Sequence, residues 1–134
     1  MKKIEQIEGI GEAYRAKLNE EGIVTVEQML DACKTKQDRK ILAEKSGISE
    51  EQVLSWANHA DLFRIKGVAG QYAELLEAAG VDTVRELAQR NPENLTERME
   101  KINEEQHLVR SVPYLKMVRK WVDQAKELPR VLEY

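Results

Sequence analysis

The chain repeats itself, and this repeat restricts the fold more than any other feature of its 134 residues. The segment Ile7-Glu8-Gly9-Ile10 recurs 58 positions later as Ile65-Lys66-Gly67-Val68. The same offset, with no gap, aligns further turn-forming and apolar residues: Tyr14 with Tyr72, Leu18 with Leu76, Gly22 with Gly80, Ile23 with Val81, Thr25 with Thr83 and Val26 with Val84. Because turn formers and core residues determine the backbone path, the two copies are predicted to fold alike.

The far ends of the copies also correspond, at a larger offset. Val53-Leu54-Ser55-Trp56-Ala57 resembles Val118-Arg119-Lys120-Trp121-Val122, which lies 65 positions later. The second copy therefore holds seven extra residues (65 minus 58), which we place between Arg90 and Pro113. We assign the copies to residues 1–60 and 61–134 and expect them to form one compact domain overall.

Apolar residues recur at three- and four-residue spacings in each copy, as they do along one face of a helix. The clearest stripes are Val53, Trp56, Ala57 and Ala60 in the first copy, and Leu115, Val118, Trp121, Val122 and Ala125 in the second. Helix starts are marked by capping residues: Thr25 with Gln28, Ser49 with Gln52, Thr83 with Glu86, and Asn91 before Pro92. These signals predict helices near residues 2–7, 11–21, 25–33, 36–46, 50–64, 70–79, 83–89, 92–105 and 114–127. Since no stretch alternates with a period of two, the predicted fold class is all-α with no β-sheet.

A glycine turn joins the first two predicted helices of each copy. In the first copy, Gly9 and Gly11 bracket Ile10, and a new helix follows. Glycine tolerates the positive φ of a sharp reversal, and Ile10 can point inward and hold the turn against the core. The N–H groups that open the second helix have no intrahelical partner and lie at the positive end of the helix dipole. They form a candidate anion site.

The paired Gly-apolar-Gly turns resemble those of the helix-hairpin-helix superfamily, and the likeness extends over nearly all of the chain. The whole pattern is similar to a bacterial tandem helix-hairpin-helix domain of unknown function. The resemblance implies two helix-hairpin-helix units packed into one compact helical domain of the SAM-like type. It also implies sequence-independent binding of nucleic-acid phosphates. The residues onto which this role carries over are Gly9, Ile10 and Gly11 in the first copy and Lys66, Gly67, Val68, Ala69 and Gly70 in the second. Arg119 and Lys120, from a basic cluster on the last predicted helix, are added as candidate phosphate contacts.

The turns depart from the DNA-binding pattern at several positions. Ala69 stands where the first copy has Gly11, and the glycine follows one residue later as Gly70. The first turn is flanked by Glu8 and Glu12, whose carboxylates satisfy the helix dipole and disfavour a phosphate. Lys66 is the one basic residue beside either turn. A purely structural turn is therefore the alternative, and for the first copy it is the favoured one.

Other candidate residues also have a structural alternative. Two basic clusters could face a nucleic acid or could be solvated helix surface, which we favour: Lys34, Lys36, Arg39, Lys40 and Lys45, and Arg110, Lys116, Arg119, Lys120 and Lys126. Trp56 and Trp121 could stack on bases, but their place on apolar stripes favours the core. Cys33, the only cysteine, is predicted to be buried and inert.

Composition argues against several functional classes. The net charge of −3 is unlike that of a general nucleic-acid coat protein. Enzyme motifs and metal-ligand spacings are missing, so we expect no catalysis, no cofactor and no metal. A single cysteine, a charged N-terminus and the lack of a long apolar run favour a cytoplasmic protein without a membrane partner. We therefore expect a binding module that contacts nucleic acid or, alternatively, another protein or a second copy of itself.

Overall fold

In the computed structural model, which describes residues 2–134, helices begin where the sequence places their capping residues. The Thr25 hydroxyl accepts from the Gln28 N–H (3.1 Å), and the Gln28 side chain accepts in return from the Thr25 N–H (3.1 Å). A 3₁₀ helix (Ile4–Gln6) is followed by α1 (Glu12–Glu20), α2 (Val26–Ala32), α3 (Lys36–Ser46), α4 (Glu50–Leu62), α5 (Gly70–Ala78), α6 (Val84–Ala88), α7 (Pro92–Gln106) and α8 (Leu115–Glu127). The all-helical prediction is confirmed.

The N-terminal segment differs from its prediction. In place of a helix over residues 2–7, it forms only the three-residue 3₁₀ helix. The reason is that its backbone pairs with the segment before α2: the Ile4 N–H donates to the Val24 carbonyl (3.0 Å), and the Val26 N–H donates to the Lys2 carbonyl (2.8 Å). The resulting single antiparallel bridge, Lys3 to Thr25, is the only β-type pairing in the described residues, which contain no sheet.

Contacts divide the chain into two compact units, each with its own apolar core. The first unit comprises the residues up to Asp61 together with Arg130–Tyr134, and the second comprises Leu62–Pro129. The largest fully buried side chains of the first unit are Ile4, Ile7, Leu18, Met29 and Val53, and those of the second are Leu62, Ile65, Leu75, Leu76, Leu87, Leu95 and Met99. In the second unit, α6 and α7 both pack on α8.

The order of helices in the first unit recurs in the second. Helix α5 begins and ends 58 residues after α1 (12 to 70 and 20 to 78), and α8 begins and ends 65 residues after α4 (50 to 115 and 62 to 127). The extra length of the second unit lies in α7, which has 15 residues against the 11 of α3, and in the segment 107–114, which replaces 47–49. Positions can therefore be matched between the units one by one on either side of this insertion.

Candidate nucleic-acid interface

The two glycine turns share one backbone conformation. Gly9 has a φ of +94° and Gly67 a φ of +95°. In each turn the N–H of the next residue donates to a carbonyl three residues earlier, from Ile10 to Ile7 (3.2 Å) and from Val68 to Ile65 (3.1 Å). Both turns thus interrupt the helical path and are closed by the same hydrogen bond.

A tryptophan supports each turn from the core. A Cβ atom placed on Gly9 would lie 3.4 Å from Trp56 Nε1, and one on Gly67 would lie 3.2 Å from Trp121 Nε1. The two indoles are only 3% and 2% exposed, which confirms their predicted core positions. Because these rings are covered, they are not available to stack on a base.

The helix that follows each turn begins without a side-chain cap. The N-cap of α1 is Gly11 and that of α5 is Ala69, and neither position has a capping hydrogen bond. In α5, the N–H groups of Gly70 and Gln71 therefore have no intrahelical acceptor. The Tyr72 N–H already donates to the Ala69 carbonyl (2.9 Å). Backbone donors at the start of α5 are thus directed away from the helix, at the positive end of its dipole.

At five matched positions around the turns, the second unit is more positive than the first. Where the first unit has Gln6, Glu8, Glu12, Glu51 and Ser55, the second has Arg64, Lys66, Gly70, Lys116 and Lys120. A shallow pocket of about 330 Å³ at the first turn is lined by Glu5, Ile10, Gly11, Glu12 and Arg15. Arg15 pairs there with Glu5 at 3.5 Å, so a carboxylate already balances this cation. The surroundings of the second turn are therefore less negative than those of the first.

Helix α8 brings further lysines beside the second turn. The Lys66 N–H donates to Gln124 Oε1 (3.0 Å), which fixes α8 against the turn. Lys116 and Lys120 precede Gln124 at intervals of four residues, so all three lie on one face of α8. Among residues 2–134, neither Lys116 nor Lys120 forms an ion pair, and both side chains are exposed. We refer to Lys66, Lys116 and Lys120 as the lysine row.

The remaining predicted site residues occupy different surroundings. Ile10 and Val68 are buried, so only their backbones could meet a ligand. Gly9, Gly11 and Gly67 are exposed, whereas Ala69 and Gly70 are half-buried. Arg119 does not belong to the lysine row: it is hydrogen-bonded to Glu93 on α7, and this bond lowers the pKa of the Glu93 carboxyl below its ordinary value.

Arg39, from the first basic cluster, is also unavailable to a ligand. It is only 5% exposed, and its guanidinium donates to the carbonyls of Cys33 (2.9 Å) and Glu133 (2.8 Å). Its predicted place on a charged surface is wrong, because the C-terminal segment folds over it. Cys33 is buried as predicted, and burial raises the pKa of its thiol to about 12, which keeps it protonated at neutral pH.

Lys116 was predicted only as a member of a basic cluster, and Tyr114 was not predicted as a site residue. Tyr114 is exposed and is the N-cap residue of α8. Lys116 and Lys120 lie eight and four residues before Gln124, and this spacing is the signal that places the three residues on one helix face. The spacing alone cannot place these lysines near the turn, because the contact between Gln124 and Lys66 joins residues 58 positions apart.

Comparison with known families places both turns within one family model. A family model described as Domain of unknown function (DUF4332) matches residues 8–128, which include both turns and the lysine row. No curated protein and no solved structure matches the chain. Within the described residues, no helix is long and apolar enough to cross a membrane, and no group of three or more His, Cys, Asp or Glu side chains could hold a metal ion.

Proposed function

The chain belongs to the DUF4332 family, and from its geometry we propose that it is a non-catalytic binding module of the helix-hairpin-helix type. Its ligand is the phosphate backbone of a nucleic acid, bound without regard to sequence through the turn of the second unit. The observation that carries the proposal is the lysine row: Lys116 and Lys120 share a face of α8 with Gln124, which contacts the Lys66 N–H in the turn before the uncapped start of α5. Exposed lysines and unpaired backbone N–H groups are the donors that phosphates accept from proteins.

The helix-hairpin-helix assignment is supported by the local geometry at the second turn. Helix α4 ends at Leu62, a turn with Gly67 at positive φ follows, and α5 begins at Gly70. The apolar residue of the turn, Val68, is buried, so it anchors the turn while the neighbouring backbone stays at the surface. Helix, glycine turn and helix thus follow one another as the superfamily resemblance implies.

The first turn has the same backbone but lacks the charge for this role. Glu8 and Glu12 occupy the positions of Lys66 and Gly70. A carboxylate at the first helical position interacts with the dipole from within the chain and repels a phosphate. We therefore propose one phosphate-binding turn per chain, and a structural role for the other.

The experiment is fluorescence anisotropy with labelled DNA of mixed sequence, single-stranded and duplex, over a range of salt concentrations. We expect binding whose affinity falls steeply with salt, because phosphate contacts release counterions. Lys66→Glu and Lys120→Glu are each expected to weaken binding to all sequences alike. Each is also expected to reduce the slope of log affinity against log salt by about 1.

Lys45→Glu is the matched control, since it makes the same charge change at an exposed position on α3 of the first unit. It is expected to leave affinity nearly unchanged. No binding to either DNA at low ionic strength would contradict the proposal. So would a loss of affinity in Lys45→Glu equal to that in Lys66→Glu, because diffuse charge would then explain the binding.

A second candidate function is binding to another protein, which a depression beside the exposed Ile41 in the first unit favours. The depression has a volume of about 180 Å³, and its lining residues are Glu21, Ile23, Ala32, Asp38, Ile41, Leu42 and Lys45. Ile41, on α3, is 40% exposed. Self-association is the simplest form of this function, and light scattering during size exclusion tests it. A dimer that Ile41→Lys dissociates would support it, and a monomer at all concentrations would oppose self-association.

A further inference from the structure

The start of α8 is built differently from the start of α4, its counterpart in the first unit. At α4 the Ser49 hydroxyl accepts from the Gln52 N–H (3.2 Å), and Glu50 and Glu51 occupy the first turn. At α8 the N-cap residue is Tyr114, which makes no capping hydrogen bond, and the first turn contains no acidic residue. Lys116 stands where the first unit has Glu51.

Both differences disfavour the helix itself. An N-cap without a hydrogen-bonding side chain costs about 1 kcal/mol relative to serine. A lysine in the first turn lies at the end of the helix dipole that repels cations. Residues that are unfavourable for the helix in which they lie, and that make no compensating contact, are expected at functional positions.

Tyr114 also differs from the other aromatic residues near the second turn. Its side chain is 73% exposed. The Trp121 ring is buried, and the Tyr72 ring packs against it with a centroid distance of 5.5 Å. The Tyr72 hydroxyl is directed to the Ser111 carbonyl (3.3 Å). Unlike the rings of Trp121 and Tyr72, the Tyr114 ring is therefore exposed enough to stack on a planar ligand group.

Tyr114 lies at the start of α8, the helix that carries Lys116 and Lys120. It precedes Lys116 by two residues, and Lys116 and Lys120 are one helical turn apart, a rise of about 6 Å. Gln124, one further turn along, contacts Lys66. An exposed aromatic ring followed by regularly spaced cations is the combination that binds single strands, with the ring stacked on a base and the cations on the backbone.

We propose that the ligand of this site is a single-stranded nucleic acid. Tyr114 stacks on one unpaired base, while the lysine row binds the phosphates that follow. The inference rests on the proposed function and adds the class of nucleic acid. A single strand is required because the base faces within a duplex are covered by neighbouring pairs, which leaves an exposed ring beside the backbone without a partner.

The test compares three labelled probes of equal length: oligothymidylate, a DNA duplex and an abasic phosphodiester oligomer. We expect the parent protein to bind oligothymidylate more tightly than either of the other two. Tyr114→Ser is expected to weaken oligothymidylate binding by about 5- to 150-fold, equivalent to ~1–3 kcal/mol for one stacked base. Its salt slope should be unchanged, because no phosphate contact is lost. Tyr114→Phe should bind as the parent does.

Tyr114→Ser also separates binding from folding. It introduces the residue type that caps α4, so its resistance to urea is expected to equal or exceed that of the parent. If Tyr114→Ser leaves oligothymidylate binding unchanged, or weakens abasic binding equally, the stacking inference is overturned and the lysine row can still stand. If none of the three probes binds at low salt, the proposed function and this inference both fail.

Discussion

Gly9 and Gly67 each combine a positive φ with a tryptophan ring directly behind the α-carbon. A side chain at either position would meet a disfavoured backbone conformation and a nearby indole. Gly11 has neither restriction, because its φ is −84° and a Cβ would have no neighbour within 4 Å. The two glycines of the first turn are therefore not equivalent. This agrees with the second turn, where Gly67 is retained and the position of Gly11 is taken by Ala69.

Gly67→Ala is expected to lower the free energy of unfolding by about 1–2 kcal/mol from backbone strain alone. The contact of 3.2 Å with Trp121 Nε1 adds to this loss, since the buried ring has to move. Gly11→Ala should change the free energy of unfolding by less than about 0.5 kcal/mol. Urea denaturation followed by tryptophan fluorescence measures both. Equal midpoints for the two variants would show that neither the positive φ of Gly67 nor the Trp121 ring constrains the turn.

The sequence was informative about single residues whose role is local. Thr25, Thr83 and Asn91 are N-caps because their side chains bond to an N–H three residues later, and this spacing is visible in the sequence. The contact between Lys66 and Gln124 spans 58 residues and has no local signal. The turn could therefore be predicted, whereas the lysines that α8 brings to it could not.

At the level of elements, α3 shows how a charged residue can be part of the core. Arg39 lies on α3 and ties it to the C-terminal segment through the Glu133 carbonyl. The Glu133 N–H donates in turn to the Lys34 carbonyl (2.8 Å), and the Tyr134 ring lies over the guanidinium, 5.4 Å from it. A count of charges in a sequence window cannot distinguish this residue from its neighbours, because the segment that covers it is some 90 residues away.

Arg39→Met is expected to destabilise the first unit by about 1–3 kcal/mol, because buried carbonyls lose their donor while the aliphatic stem is kept. Lys40→Met, at the adjacent exposed position, removes the same charge and should be nearly neutral. Thermal unfolding of the two variants gives the comparison. Nucleic-acid binding by Arg39→Met below its melting temperature should match the parent. A stable Arg39→Met variant with weakened binding would instead place Arg39 in the ligand site.

Helix positions were predicted more accurately than the N-terminal segment for a physical reason. Helix α4 combines an apolar stripe with a marked start at Ser49, so periodicity and position agree. The segment over residues 2–7 has an apolar pattern too short to define a helix. Its backbone groups bond instead to the segment 24–26: the Ile4 N–H donates to the Val24 carbonyl, and the Lys2 carbonyl accepts from the Val26 N–H. Such long-range hydrogen bonds determine the structure where the local preference for helix is weak.

For the molecule as a whole, the net charge of −3 gives no indication that the two turns differ in local charge. Residues 1–64 carry 10 basic and 12 acidic side chains, and residues 65–134 carry 11 and 12. The halves therefore look alike by composition, although the second unit is more positive at the five matched positions around its turn. This contrast emerges only when each unit is compared with the other residue by residue.

The contrast predicts that charge, and not backbone geometry, prevents the first turn from binding. The double variant Glu8→Lys/Glu12→Gly gives it the residues of the second turn, and we expect a second binding event per chain, seen by calorimetric titration with short oligothymidylate. The control Glu20→Lys/Glu21→Gly makes the same change in net charge at exposed positions near the end of α1. It should raise affinity only slightly and leave the stoichiometry at one. A stoichiometry of one in both double variants would mean that the turn backbone contributes little to binding. The lysines on α8 would then provide most of the site, since the first unit has Glu51 and Ser55 at the positions of Lys116 and Lys120.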